Sequence, residues 1–421
     1  MSTTAVPVGR PDQAAKGTPR RWPTAIWTLM AGTFLVRGLG FTYPFLPYHL
    51  TDLNLSTRSI GTFLAVFGAG WLLGSILSGW LADRIGHRTT LIAAMLLATA
   101  VLPLLAQVPT GPALFAATFT GGIVYDASRP VFTAAIAQTF PDDAVRATVN
   151  AWRHFAVNSG AAVAGTAGGM LAGPFGIRAL IWTNAAACLL FALLVWRFIP
   201  ANERRALGTA PPRSNYRAAV RDQGLWLLLA ASLAALTCCA SLFSSLPMLM
   251  ADDGLQAADY GWTQTANAGA VLLLSPFLNH WLSRRAKHPM TGLFAVSSLV
   301  LGTSMGAAGF ASTTLGYSAA AALAVPGEIV VFVAASDILN RISPPDARGL
   351  YAGIWGTTLA GAIIIAPTLA GWALTHGGDL LAAATTFAVG LLGAALCWPL
   401  AAFIRRTHPA PTRHRPEASP S

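Results

Sequence analysis

Gly79–Arg88 reads GWLADRIGHR, a short polar and basic stretch at the junction of two apolar runs, Ser59–Leu81 and Thr90–Val108. Each run can cross the hydrocarbon of a bilayer as a helix, which takes about 20 apolar residues. A basic turn between two such runs reads as a loop at a membrane face. Arg84 and Arg88 anchor it, Asp83 can meet the positive N-terminus of a helix, and Gly79 lets a second helix come close. A degenerate copy, WLSRRAKH, stands at Trp281–His288, 201 residues downstream, with Arg284 where the first copy has Asp83.

Working outward from this turn, apolar runs recur along the chain. Twelve are expected to span: Thr24–Leu50, Ser59–Leu81, Thr90–Val108, Pro112–Gln138, Ala147–Ala172, Ala179–Ile199, Gly224–Ala251, Gly261–Leu282, Met290–Phe310, Tyr317–Leu339, Leu350–Leu374 and Leu380–Ile404. A chain of 421 residues that is 54% hydrophobic and 10% charged has too little polar side chain to coat a soluble globule. The expected fold is therefore an all-α membrane protein in contact with the lipid bilayer.

The net charge of +11 raises the question of an acidic partner, and the placement of the basic residues answers it. Of 27 Lys and Arg, 22 fall in the tails and loops of one side, only Arg58 and Arg178 on the other, and Arg37, Arg129 and Arg153 inside spans. This asymmetry places both termini in the cytoplasm of a cell-membrane protein and leaves nucleic-acid binding unsupported. Cys188, Cys238, Cys239 and Cys397 fall within spans without metal-ligand spacing, so neither a metal nor another cofactor is expected. The first apolar run is too long for a signal-peptide core and is expected to be retained.

Residues 200–223, with Pro211, Pro212 and a run of arginines, read as a cytoplasmic linker between six spans (24–199) and six more (224–404). Short cytoplasmic tails, 1–23 and 405–421, flank them. A shift of 200 residues matches Pro47, Asp52 and Gly61 with Pro247, Asp252 and Gly261. A shift of 202 matches Arg146, Thr166 and Gly169 with Arg348, Thr368 and Gly371. The chain is thus read as two pseudo-symmetric six-helix bundles in parallel repeat, a plan that places a site between halves exposed alternately to each membrane face.

GWLADRIGHR resembles the signature G-x-L-a-D-r-x-G-r-r of the major facilitator superfamily, through Gly79, Asp83, Arg84, Gly86 and Arg88. GFTYPFLP (Gly40–Pro47) and NSGAAVAGTAGG (Asn158–Gly169) resemble helix-one and helix-five motifs of its twelve-helix drug:proton antiporter branch, with Thr166 in place of a motif proline. GGIVYDASRP (Gly121–Pro130) resembles a multidrug-resistance subgroup with a D-x-x-R element in helix four. The resemblance implies a monomeric efflux transporter without enzymatic activity, exchanging a small organic molecule for protons. It also implies a latch between Asp83 and the start of helix eleven near Arg348, and a cavity lined by helices one, four, seven and ten. Gly165, Gly168 and Gly169 are read equally as a gating motif and as close helix packing.

Charges inside spans are costly and point to function. Of 16 acidic residues only Asp126, Glu328 and Asp337 lie there, and Asp126 and Glu328 are partners under the 202-residue shift. Asp126 and Arg129, three apart, can pair and hold the carboxylate charged. Glu328 has no cation at helical spacing, which suits it to take and release a proton. Arg37 in helix one could instead cross to pair with Glu328, leaving Asp126 to couple. Asp337 and Arg341, four apart, read as a structural pair. Arg153 and His154 could contact an anionic substrate or stabilise the inner gate; Arg153 is read first as snorkelling to the cytoplasmic interface, and His154 is also a candidate proton relay. Phe41, Tyr43, Tyr125, Trp152, Phe243, Phe332 and Trp355 are candidates for an aromatic cavity wall.

Three rivals remain at this level. Gly302–Gly306 reads GTSMG and fits a G-x-S-x-G nucleophile as well as a G-x-x-x-G packing face. A non-transporting sensor would normally carry an appended domain. A proton-coupled uptake symporter would share every feature except direction.

Overall fold

The structure, a computed structural model, describes residues 22–140, 142–200, 216–285, 289–344 and 347–407. The tails and most of the expected linker lie outside them. Among the described residues every regular element is helical. The first six are α1 (Thr24–Gly38), α2 (Thr42–Asp52), α3 (Thr57–Ile85), α4 (His87–Gln107), α5 (Pro112–Tyr125) and α6 (Ser128–Thr139). The long α7 (Asp143–Phe198) and short α8 (Tyr216–Arg221) follow, then α9 (Gln223–Ser241), α10 (Ser245–Asp252) and α11 (Ala257–Arg285). The chain ends in α12 (Thr291–Ala307), α13 (Thr314–Ile342) and α14 (Arg348–Thr407). Among the described residues, eight stretches are long and apolar enough to cross a membrane, counting α1 with α2 and α9 with α10. Leu315, Phe277 and Trp398 are each at least 75% exposed, as side chains are when their solvent is lipid.

Three of the expected continuous helices are broken. The first stops at Gly38 and restarts at Thr42, because Gly40 folds back so tightly that a Cβ there would lie 2.6 Å from the Val36 carbonyl. The fourth breaks at Asp126–Ala127, and the seventh between Ser241 and Ser245. Conversely, α7 and α14 each run through two expected spans, interrupted by non-helical backbone at Gly176 (φ 74°) and Gly378 (φ 62°).

The repeat is written into the backbone. Gly176 and Gly378 stand 202 residues apart, and the left-handed residues Asn54 (φ 57°) and Gly254 (φ 76°) stand 200 apart. In both halves the residue after the left-handed position bonds back: Leu55 N–H to Leu50 O at 3.3 Å and Leu255 N–H to Met250 O at 2.8 Å. Arg84 lies 4.2 Å over the Trp80 ring, and Arg285 lies 4.5 Å over Trp281.

Helices α1, α3, α4, α5 and α7 pack on one another, as do α9 and α11–α14, and the two sets meet through α3 against α14, α7 against α11 and α2 against α10. Glycine permits both long crossings: Gly61 packs on Pro367 and Gly371, and Gly169 on Gly261, so the contacts pair repeat-related positions crosswise. Thr166 and Thr265 share a hydroxyl hydrogen bond of 2.7 Å, and Tyr260 packs on Phe45 and Tyr48. All of these lie toward the end marked by the α2–α3 turn. At the opposite end, marked by the α3–α4 turn, Asp83 and Arg84 are exposed, as are Trp152 and Phe155 near the start of α7.

The expected close approach at Gly79 is not found: a Cβ there would meet nothing within 4 Å, because no helix covers that face of α3. Gly169→Val, which forces a β-branched side chain against the Gly261 backbone, is expected to cost about 1–3 kcal/mol through overpacking. Gly79→Ala should stabilise by about 0.5–1 kcal/mol through backbone entropy alone. Melting temperatures in detergent check both.

Candidate functional site

The breaks place the ionisable groups. Arg37 occupies the last turn of α1, where the exposed carbonyls favour a cation. Asp126 is the residue at which α5 ends, beside the free amides that begin α6. The two meet, Arg37 Nη2 to Asp126 Oδ1 at 2.6 Å, while Arg129 Nη2 reaches Asp126 Oδ2 at 2.6 Å from the first turn of α6. One carboxylate, 3% exposed, is thereby held between two guanidinium groups. Removing it from water is costly, and two charge-assisted contacts offset that cost.

Aromatic rings wall this triad. Arg37 lies 5.4 Å over Tyr125, and Arg129 5.6 Å over Trp71. Tyr125 packs in turn on Tyr43, Phe67 and Trp71 with ring centroids 5.1–5.7 Å apart. The part of α7 after Gly176 contributes Asn184, whose Oδ1 accepts from the Thr42 hydroxyl at 2.7 Å and from the Thr42 amide at 3.3 Å, satisfying the first amide of α2. A small cavity between Arg37, Tyr125, Asn184 and Cys188 lies beside it.

Arg153 sits lower, toward the α3–α4 end. Its Nη1 donates to Thr133 Oγ1 at 2.7 Å, one turn along α6 from Arg129, and its guanidinium lies 5.9 Å over Phe132. The His154 side chain lies outside the described residues.

Glu328 stands apart. The 202-residue shift sets it opposite Asp126, yet α13 runs through it without a break. It is half-buried, and Asn267 Nδ2 of α11 donates to its Oε2 at 3.5 Å while also donating to Ala321 O at 3.2 Å. The alternative in which Arg37 crosses to Glu328 is corrected: Arg37 stays in its own half because Asp126, at the broken end of a neighbouring helix, is within direct reach.

Other candidates separate. Phe41 is fully buried, edge-on to Phe45, and packs the helix-one break against Gly168; it is not a cavity wall. Tyr43 is likewise buried. Trp152 is 53% exposed and packs on Phe155. Phe243 and Phe332 are half-buried, and Trp355 donates to Ser232 Oγ at 3.0 Å. Asp337 and Arg341 pair at 2.8 Å, and Asp337 also accepts from the Met290 amide. Ser304 lies in a stretch whose Gly302 and Gly306 pack on Gly390 and Phe387. Arg88 donates to Trp196 O at 2.8 Å, tying the turn to the end of α7. The Arg348 side chain, the expected partner of Asp83, lies outside the described residues. Asn184, Asn267, Trp71 and Gln264 are additions; a polar amide inside an apolar run was the available signal for three of them.

Comparison with known proteins bears on the whole arrangement. The family profile described as Major Facilitator Superfamily matches residues 26–324 and again 239–420. The inner membrane transport protein YnfM of Escherichia coli is 25% identical over 239 residues, covering 53% of this chain and 54% of that protein, so the match spans about half of the relative's length. Among solved structures, a peptide transporter POT in complex with sulfate superposes with a TM-score of 0.75 at 16% identity, over 93% of this chain and 96% of that one. The nucleoside transporter NupG does so with 0.70 at 14% identity, over 90% and 99%. These likenesses establish a shared fold.

Asp126→Asn removes the buried carboxylate from between a half-buried and an exposed guanidinium and should destabilise the protein by about 1–3 kcal/mol. Arg129→Gln leaves the Arg37 bond in place and should cost much less. Thermal melts of the purified variants distinguish the two.

Proposed function

The chain belongs to the major facilitator superfamily, and on that premise we propose that it exports small organic, drug-like or amphipathic molecules by proton antiport. It is a membrane transporter rather than an enzyme. In this reading Gly176 and Gly378 mark turns within α7 and α14, giving twelve crossings in two six-helix bundles, 24–199 and 224–404, joined by the linker 200–223. Both termini face the cytoplasm of the inner membrane, and a single chain works alone by alternating access. The α2–α3 end, where the glycine crossings lie, then faces outward, and an exporter loads from the other side.

The observation that carries proton coupling is the contrast between the two repeat-related carboxylates. Asp126 is committed to Arg37 and Arg129 through two contacts of 2.6 Å. Glu328 has a neutral amide for its hydrogen-bond partner and a helix that is not broken around it. It is the group that can gain and lose a proton as the cleft is exposed to each side. In this reading Asp83, exposed at the α3–α4 end, latches to the start of α14 when that end closes. Uptake by symport is the second reading, favoured by Thr166 in place of the antiporter motif's proline.

Everted vesicles carrying a pH-sensitive dye in an acidified lumen discriminate the two. Transported compounds added outside should raise luminal pH under antiport and lower it under symport. Glu328→Gln should abolish the proton signal while the compound still binds; an unchanged signal would remove Glu328 from the mechanism.

A further inference from the structure

Three guanidinium groups and one carboxylate are gathered on α1, α6, α7 and the α5–α6 break. Arg37 and Arg129 share Asp126. Arg153 meets only the neutral hydroxyl of Thr133 and the face of Phe132, and its charged neighbours among the described residues are Arg129, Asp126 and Arg37. Three positive charges against one negative leave the cluster at +2. Glu328 does not balance it, since its contact is with Asn267 of the other set of helices.

An excess of positive charge gathered away from bulk water is costly, and a protein retains it where a counter-charge arrives from outside. This cluster is reachable. The Arg129 side chain is 42% exposed, and Thr133 is exposed on the same face of α6 one turn on. The planar groups are also backed by rings, Trp71 behind Arg129 and Phe132 behind Arg153, so the N–H groups not engaged by Asp126 and Thr133 can turn edge-on to an oxyanion. The exposed pair Trp152 and Phe155 flanks Arg153 in sequence and offers apolar surface.

We infer that the cleft binds organic anions, a carboxylate, sulfonate or phosphate on a flat apolar body, with Arg129 and Arg153 receiving the charge. The inference rests on the reading of the chain as a transporter of small organic molecules and names the class it carries.

The test uses the purified full chain in detergent and ligand-induced thermal stabilisation by a matched series: naphthoate and naphthalenesulfonate against naphthamide and naphthylmethylammonium. The two anions should stabilise the protein and the other two should not. Arg129→Gln and Arg153→Gln should each weaken anion binding at least tenfold, while Arg153→Lys keeps part of it. Arg153→Gln breaks no ion pair, and its unliganded melting temperature verifies folding; were it to fail, Arg129→Gln and the matched series decide alone. Equal stabilisation by the ammonium compound, no stabilisation by either anion, or unchanged anion affinity in the Gln variants overturns the inference. Binding in detergent reads neither direction nor proton coupling, so anion binding without proton movement in vesicles would sink antiport and leave this inference standing.

Discussion

Inside a bilayer a helix can be interrupted only where its freed amides and carbonyls find partners in the protein, since lipid supplies none. Each of three interruptions meets that demand differently. At the start of α2 the Thr42 amide is capped by Asn184. At the end of α9 the Leu242 carbonyl accepts from Tyr260 Oη at 3.3 Å and Gln264 Nε2 at 3.4 Å. At the α5–α6 break the Arg129 amide donates to the Asp126 carbonyl at 3.0 Å, and the Asp126 carboxylate draws Arg37 and Arg129 around the break.

The two halves resolve one inherited plan in different ways. At the position where the first half breaks its helix and buries a paired carboxylate, the second keeps α13 intact and leaves Glu328 beside a neutral amide. The Asp126 carboxylate joins α1 to α6 from the break between α5 and α6. Glu328 reaches instead from an unbroken helix to Asn267 of α11.

Much of this was legible in the residues alone. Apolar runs, the GWLADRIGHR turn, the repeat at 200–202 residues and the few charges within spans all follow from composition and spacing. The breaks did not, because a run such as Thr24–Leu50 is as hydrophobic across Gly40 as on either side of it, and hydropathy carries no φ or ψ. Local spacing found the Asp126–Arg129 pair, but Arg37 lies 89 residues from Asp126 and could be assigned only by proximity in space. Gly79 shows the converse: a small residue announces that a neighbour can come close, and only packing tells whether one does.

The crossings of Gly61 with Gly371 and of Gly169 with Gly261 have a mechanical corollary. Backbone laid on backbone interlocks no long side chains. Beside the Thr166–Thr265 hydrogen bond and the 3.5 Å contact of Thr57 with Asp252, little polar bonding has to be undone there. Such a seam is held chiefly by van der Waals contact, which falls off within about an ångström of separation.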